Sequence, residues 1–168
     1  MKKTLAFILC ALLLAGCAQP TALETVSDTY GVPEIPEAEK VSFWLPDGAA
    51  LTVSEGAGEL YVCEDFTALV QVFSSGDLAA TVRAVTGYEK EKLELLGWKT
   101  PQGQHWECAW ASAGEAGDQI ARTLILDDGN YHYTLTLQAE AAKGGELALT
   151  WNDIFQTFEL GEKESTKG

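Results

Sequence analysis

An α+β fold, an antiparallel sheet built as a meander of hairpins with two helices packed on it, is predicted by three features of the sequence. Short alternating apolar runs recur between Val41 and Gln138, and clusters rich in Gly, Pro and Asp separate them, as turns separate strands. Two stretches break that rhythm with helical spacing: Leu78, Val82 and Val85 in one, and Trp151, Ile154, Phe155 and Phe158 in the other. Neither stretch alternates with strands in the β-α-β manner of a parallel sheet, so helices are expected on one face of an antiparallel one.

The elements follow in order. Val41, Phe43 and Leu45 alternate up to Pro46-Asp47-Gly48, and Leu51 and Val53 alternate beyond it, which predicts an opening hairpin. Leu60–Cys63 and Ala68–Phe73 form a second pair around Asp65. Ser74-Ser75-Gly76-Asp77 then offers N-cap residues for a short helix that stops at Gly87. Leu93–Thr100 meets His105–Ala111 across Pro101-Gln102-Gly103, and Gln119–Leu126 meets Asn130–Gln138 across Asp127-Asp128-Gly129. In the last strand Tyr131, Tyr133, Leu135 and Leu137 share one face and His132, Thr134, Thr136 and Gln138 the other, so one face is expected to be buried and one wet. Thr150 with Asp153 is a candidate cap for the closing helix, whose wide aromatic stripe should pack on the sheet.

Around this domain of residues 41–161 lie three simpler segments. Residues 1–16 read as a signal peptide, with Lys2 and Lys3 ahead of the apolar run Leu5–Leu14. That run is about half of the roughly 20 residues needed to cross a bilayer. Residues 17–40 are small, polar and acidic, with Pro20, Pro33 and Pro36, and read as a tether. Residues 162–168 form a charged tail expected to be disordered. Leu14-Ala15-Gly16-Cys17 resembles the lipobox of bacterial lipoproteins at all four positions. The resemblance implies cleavage before Cys17 and a diacylglycerol on its sulfur, which would hold the chain to the extracytoplasmic face of a membrane.

Charge excludes some partners. The 168-residue chain carries a formal charge of −14, and loss of Lys2 and Lys3 with residues 1–16 leaves nine basic against 25 acidic residues, or −16. Such a surface repels nucleic acid and anionic headgroups, so membrane contact should come from the lipid alone and basic partners should be favoured, more weakly as salt rises. A content of five Trp, five Tyr and six Phe gives ample apolar surface for one core.

Two stretches carry a second resemblance. Val41-Ser42-Phe43-Trp44-Leu45-Pro46-Asp47-Gly48 resembles the first strand of PsbP-like domains, and Trp151-Asn152-Asp153-Ile154-Phe155-Gln156-Thr157-Phe158-Glu159-Leu160 resembles their closing helix and strand. Thr157 stands where that family often has Ser, and Ala49 where many members have Trp. The resemblance implies a PsbP-like α+β sandwich and carries no activity with it.

No catalytic or cofactor motif is present in the sequence. His105 and His132, the only histidines, fall at strand positions expected to face outward, with no ligand-forming neighbour at metal spacing. Asp127-Asp128-Gly129-Asn130 lacks the spacing and terminal Glu of a calcium loop and reads as a turn. No Gly-x-Ser-x-Gly elbow is present. Trp98, Trp106 and Trp110 are expected to fill the core against the Trp151 helix, the alternative being an aromatic groove for peptide, glycan or lipid. Cys63 and Cys108 remain after Cys10 and Cys17 are accounted for, and are either bridged or two buried thiols. The expected function is a non-enzymatic binding or scaffolding module of the cell envelope, needing no cofactor or metal. It would meet an envelope protein or another envelope component around Trp44, Trp98 or Trp106; the alternative is a small extracytoplasmic hydrolase.

Overall fold

The central strand of the sheet is buried on both sides, and this organises the domain. The computed structural model describes residues 36–55, 58–113 and 117–161. The signal segment, Cys17, most of the tether and the tail therefore lie outside the described residues. No helix among the described residues is long and apolar enough to cross a membrane.

The strands are β1 (Val41–Ser42), β2 (Ala50–Glu55), β3 (Gly58–Val62), β4 (Thr67–Ser74), β5 (Leu96–Thr100), β6 (Gly103–Ser112), β7 (Gln119–Asp127), β8 (Tyr131–Glu140) and β9 (Glu159–Leu160). Seven of them form one antiparallel sheet in the order β2-β3-β4-β8-β7-β6-β5, while β1 pairs with β9. Among the described residues the α-helices are α1 (Leu78–Thr86) and α2 (Gly144–Gln156). The α+β class is as the sequence predicts, and the β3–β4, β5–β6 and β7–β8 hairpins are where the turn residues put them.

The opening hairpin is not. Val41 pairs with Leu160 and Ser42 with Glu159, whereas β2 pairs with β3. The Pro46–Gly48 turn does form, with Ala49 N–H donating to Pro46 O. It redirects the chain instead of folding it back, because β1 finds its partner at the far end of the domain. Glu39 N–H donates to the Tyr133 hydroxyl and Gly161 N–H to Lys40 O, so the fixed backbone begins slightly upstream of residue 41.

Helix α2 covers one face. Its Leu147, Trp151, Ile154 and Phe155 are buried against Ala68, Val70, Leu124, Leu126, Tyr133, Leu135 and Leu137. The helix begins at Gly144, six residues before Thr150, so Thr150 is interior and not a cap. A side chain at Gly144 would meet the end of the Ile120 side chain, so the first turn lies close against β7, and Leu147 is buried from it.

Helix α1 lies on the opposite face, contrary to the expectation of both helices on one side. It starts at Asp77, whose carboxylate accepts from Ala80 N–H, and closes on Gly87, whose N–H returns to Arg83 O. Its Thr81 and Val82 are buried, and Thr81 Oγ1 lies 2.7 Å from His132 Nδ1. His132, Thr134 and Thr136 are therefore buried, not wet. The face reads as polar because its residues carry hydroxyls and an imidazole, yet these satisfy one another. Thr123 bonds Thr136 at 3.0 Å, Trp110 Nε1 donates to Thr123 Oγ1, and the Thr134 hydroxyl donates to Gln71 O.

The same inversion moves the tryptophans and cysteines. Trp106 stands edge-on to His132 at 6.2 Å and Trp110 packs toward Tyr88, so both lie on the α1 face and not against Trp151. Cys63 joins the α2-side core at the β3–β4 turn, whereas Cys108 shares the α1 face with Trp106 and Trp110. Strands β8 and β7 separate β4 from β6, a lateral span of roughly 14 Å at ~4.8 Å per strand. A disulfide needs Cα atoms within about 7 Å, so the two are free buried thiols and not a bridge. Burial raises both thiol pKa values, Cys108 to about 11 with help from Glu107, which keeps them protonated.

Candidate functional site

The β5–β6 hairpin reaches beyond the edge of α2, and the overhang leaves a cleft. Alternation along β6 turns His105 and Glu107 toward α2, and the register sets Trp98 of β5 opposite His105. From the helix side come Asn152, Phe155 and Gln156, one turn apart, followed by Phe158. The cavity is about 620 Å³, within the ~300–1,000 Å³ range of ligand sites.

Its aromatic wall is Trp98, which is 41% exposed and stacks on the His105 ring at 5.3 Å and 18°. His105 is itself buried, with Nε2 2.9 Å from Thr100 Oγ1 and Nδ1 without a partner. Thr100 Oγ1 in turn accepts from Gln102 N–H, which fixes the hairpin tip. The polar wall is a row through Arg122. Its Nε and Nη2 both donate to Glu107 Oε1, at 3.0 and 2.5 Å, and Nη1 donates to Asn152 Oδ1 at 2.7 Å. The guanidinium also lies over the Phe155 ring, 5.1 Å from its centre.

The cleft carries one cation, Arg122, and two carboxylates, Glu107 and Glu159. Glu107 and Arg122 compensate each other. Burial lowers the His105 pKa below the ordinary imidazole value, which holds the ring uncharged at neutral pH. The unfolded chain thus binds a proton that the folded chain resists. The stabilisation is full above the unfolded value of about 6.5 and is lost as pH falls below it. Between pH 6.5 and 5 the His105→Gln chain should lose stability less steeply than the parent, the difference being at most about 1.4 kcal/mol per pH unit. Denaturant midpoints measured across that range provide the check, and parallel curves would refute it.

The sequence-singled tryptophans are not brought together. Trp98 lines the cleft, Trp106 is half-buried on the opposite face, and Trp44 is exposed after β1 with its N–H on Thr157 Oγ1. Exposed Leu51, Val53 and Val62 belong to the other edge of the sheet. Neither histidine faces outward as expected. Glu107, Arg122 and Asn152 were not singled out by sequence. Opposite charges on one face of neighbouring strands could have signalled the first two, but the β6–β7 register is set across a long connection that carries no tight-turn signal.

A serine, an aspartate and a histidine also meet on the α1 face. Ser75 Oγ donates to Asp127 Oδ1 at 2.7 Å, while His132 Nε2 stands 3.5 Å from Ser75 Oγ and from Asp127 Oδ2. A nucleophilic serine gives its proton to the imidazole at about 2.6–3.2 Å. Here the proton goes to the carboxylate, and the three side chains tie the end of β4 to β7 and β8. Among the described residues no group of three His, Cys, Asp or Glu side chains could hold a metal ion.

The architecture is an α+β sandwich, a seven-stranded antiparallel sheet with one helix on each face. No protein-family model matches the chain, and none of the curated proteins matches it. Solved structures do. A protein from Bacteroides thetaiotaomicron is similar at a TM-score of 0.51 and 11% identity, covering 73% of this chain and 46% of its own. This chain therefore spans less than half the length of that structure. LpqN of Mycobacterium tuberculosis, involved in cell envelope biogenesis, is similar at 0.50 and 12% identity, over 76% of this chain and 86% of that one. The cyanobacterial PsbP of Synechocystis sp. PCC 6803 has a TM-score of 0.49 and 10% identity, over 80% and 99%. At these identities the likeness is one of fold.

Proposed function

We propose that the chain is a lipid-anchored, extracytoplasmic binding module of the cell envelope that acts without catalysis. The observation that carries this reading is the cleft, which an exposed indole and a row of hydrogen-bonding side chains line together. A concave site with a few convergent polar groups is suited to holding a ligand. Its histidine is stacked under Trp98 and hydrogen-bonded to the Thr100 hydroxyl, which Gln102 N–H holds at the hairpin tip, an arrangement suited to fixing the cleft wall. The lipobox-like Leu14–Cys17 supports the address, as does the fold shared with an envelope-biogenesis protein. Held by Cys17 on a tether of some twenty residues, the domain would meet a protein or another envelope component by position.

Crosslinking in intact cells tests the reading. Trp98→Ala should remain folded and lose the neighbours that the parent captures, whereas Leu149→Ala, on the exposed side of α2, should keep them. Equal capture by a folded Trp98→Ala chain would show that the cleft is not the site.

A further inference from the structure

The chemistry of the cleft narrows what it can hold. A fatty acyl chain would cover the remaining polar atoms of Glu107 and Asn152, beyond those bonded to Arg122, and the Gln156 amide, at a penalty for each group left unpaired. A phosphate or carboxylate would need a free cation. The Arg122 guanidinium is already occupied by Glu107, Asn152 and Phe155, Glu159 adds a carboxylate at the rim, and the whole chain is strongly acidic. An uncharged ligand with an apolar face and many hydroxyls meets neither cost.

Resting on the binding reading above, we infer that the cleft is a saccharide site, with Trp98 as the platform for a sugar ring and the Glu107–Arg122–Asn152 row as its hydroxyl reader. Three features support this. A pyranose presents a flat C–H face that packs on an indole, and Trp98 is held by its stack on His105, which takes one indole face while the residue stays exposed. Glu107 uses only Oε1 for Arg122, and Asn152 only Oδ1, so Glu107 Oε2 and Asn152 Nδ2 are left for ligand hydroxyls as acceptor and donor. Planar side chains already locked to one another lose little freedom when the sugar arrives, which favours affinity. Gln156 adds a further amide on the helix side. The cavity, at about 620 Å³, accommodates more than one ring.

The test uses the full chain in detergent micelles with maltotriose, cellotriose and triacetylchitotriose as probes, followed by tryptophan fluorescence and calorimetry. At least one trisaccharide should bind saturably. Trp98→Ala should weaken that binding roughly tenfold or more, and Asn152→Ala severalfold. Leu149→Ala should leave it unchanged, and circular dichroism should report the same fold in all three. Absence of binding to every trisaccharide by the folded parent overturns the inference, as does uptake of laurate in their place or binding indifferent to Trp98→Ala. If sugar binding is absent yet Trp98→Ala still loses its crosslinked neighbours in cells, the saccharide assignment falls and the binding module stands. If neither assay responds to Trp98, both fall.

Discussion

Trp151→Ala should destabilise the domain by about 3–5 kcal/mol, the range for emptying a large aromatic site in a core. Trp151 is 2% exposed, sits at the middle of α2 and meets Phe66 edge-on at 6.4 Å. Its neighbours Leu147, Ile154 and Phe155 come from the same helix and cannot close the space without moving it off the sheet. Domains of this size are stable by only ~5–15 kcal/mol, so the loss is a large fraction of the whole. Trp151→Phe provides the control. The indole Nε1 is buried without a partner, so the phenyl ring gives up volume but removes an unsatisfied donor. Urea unfolding should therefore place Trp151→Phe well above Trp151→Ala. A loss under ~1 kcal/mol for Trp151→Ala would mean that α2 is not docked as described.

Gly103→Ala is expected to be comparably severe for a different reason. Gly103 opens β6 with φ +150°, and a Cβ there would stand 2.0 Å from Asp127 O and 2.9 Å from Asp127 C. Those atoms are backbone and cannot swing aside. The β6–β7 pairing at Gln104 and Asp127 must open, or the hairpin must twist away. Either response should cost about 3 kcal/mol or more. It should also disturb the cleft, because the same hairpin holds Trp98, Thr100, Gln102 and His105. Tryptophan fluorescence should shift along with the lowered urea midpoint. A variant with parental stability would mean that the tip of the hairpin has another path.

These two sites show where sequence reading succeeds. Trp151, Ile154, Phe155 and Phe158 announce an apolar stripe by spacing alone, and Pro101-Gln102-Gly103 announces a turn, since both signals are local. What failed depended on partners distant in sequence. Val41 reads as half of a hairpin until Leu160 is brought beside it. His132, Thr134 and Thr136 read as a wet face until α1, some fifty residues earlier, is laid over them with a hydroxyl for the imidazole. Thr150 reads as a cap until Gly144, set against Ile120 of β7, starts the helix six residues earlier. The candidate site was half legible for the same reason. Trp98 stood out by type, but Arg122 and Glu107 acquire meaning only through the β6–β7 register, and Asn152 only through the docking of α2.

A module that meets its partner by position must be held at the membrane through Cys17. Cells expressing the parent or Cys17→Ala are fed labelled palmitate, and the immunoprecipitated chains are compared by label and by mass. The parent should carry label and lack residues 1–16, and Cys17→Ala should carry none and keep its precursor length. Equal labelling of Cys17→Ala, or an unlabelled parent of full length, would contradict the membrane-anchored module.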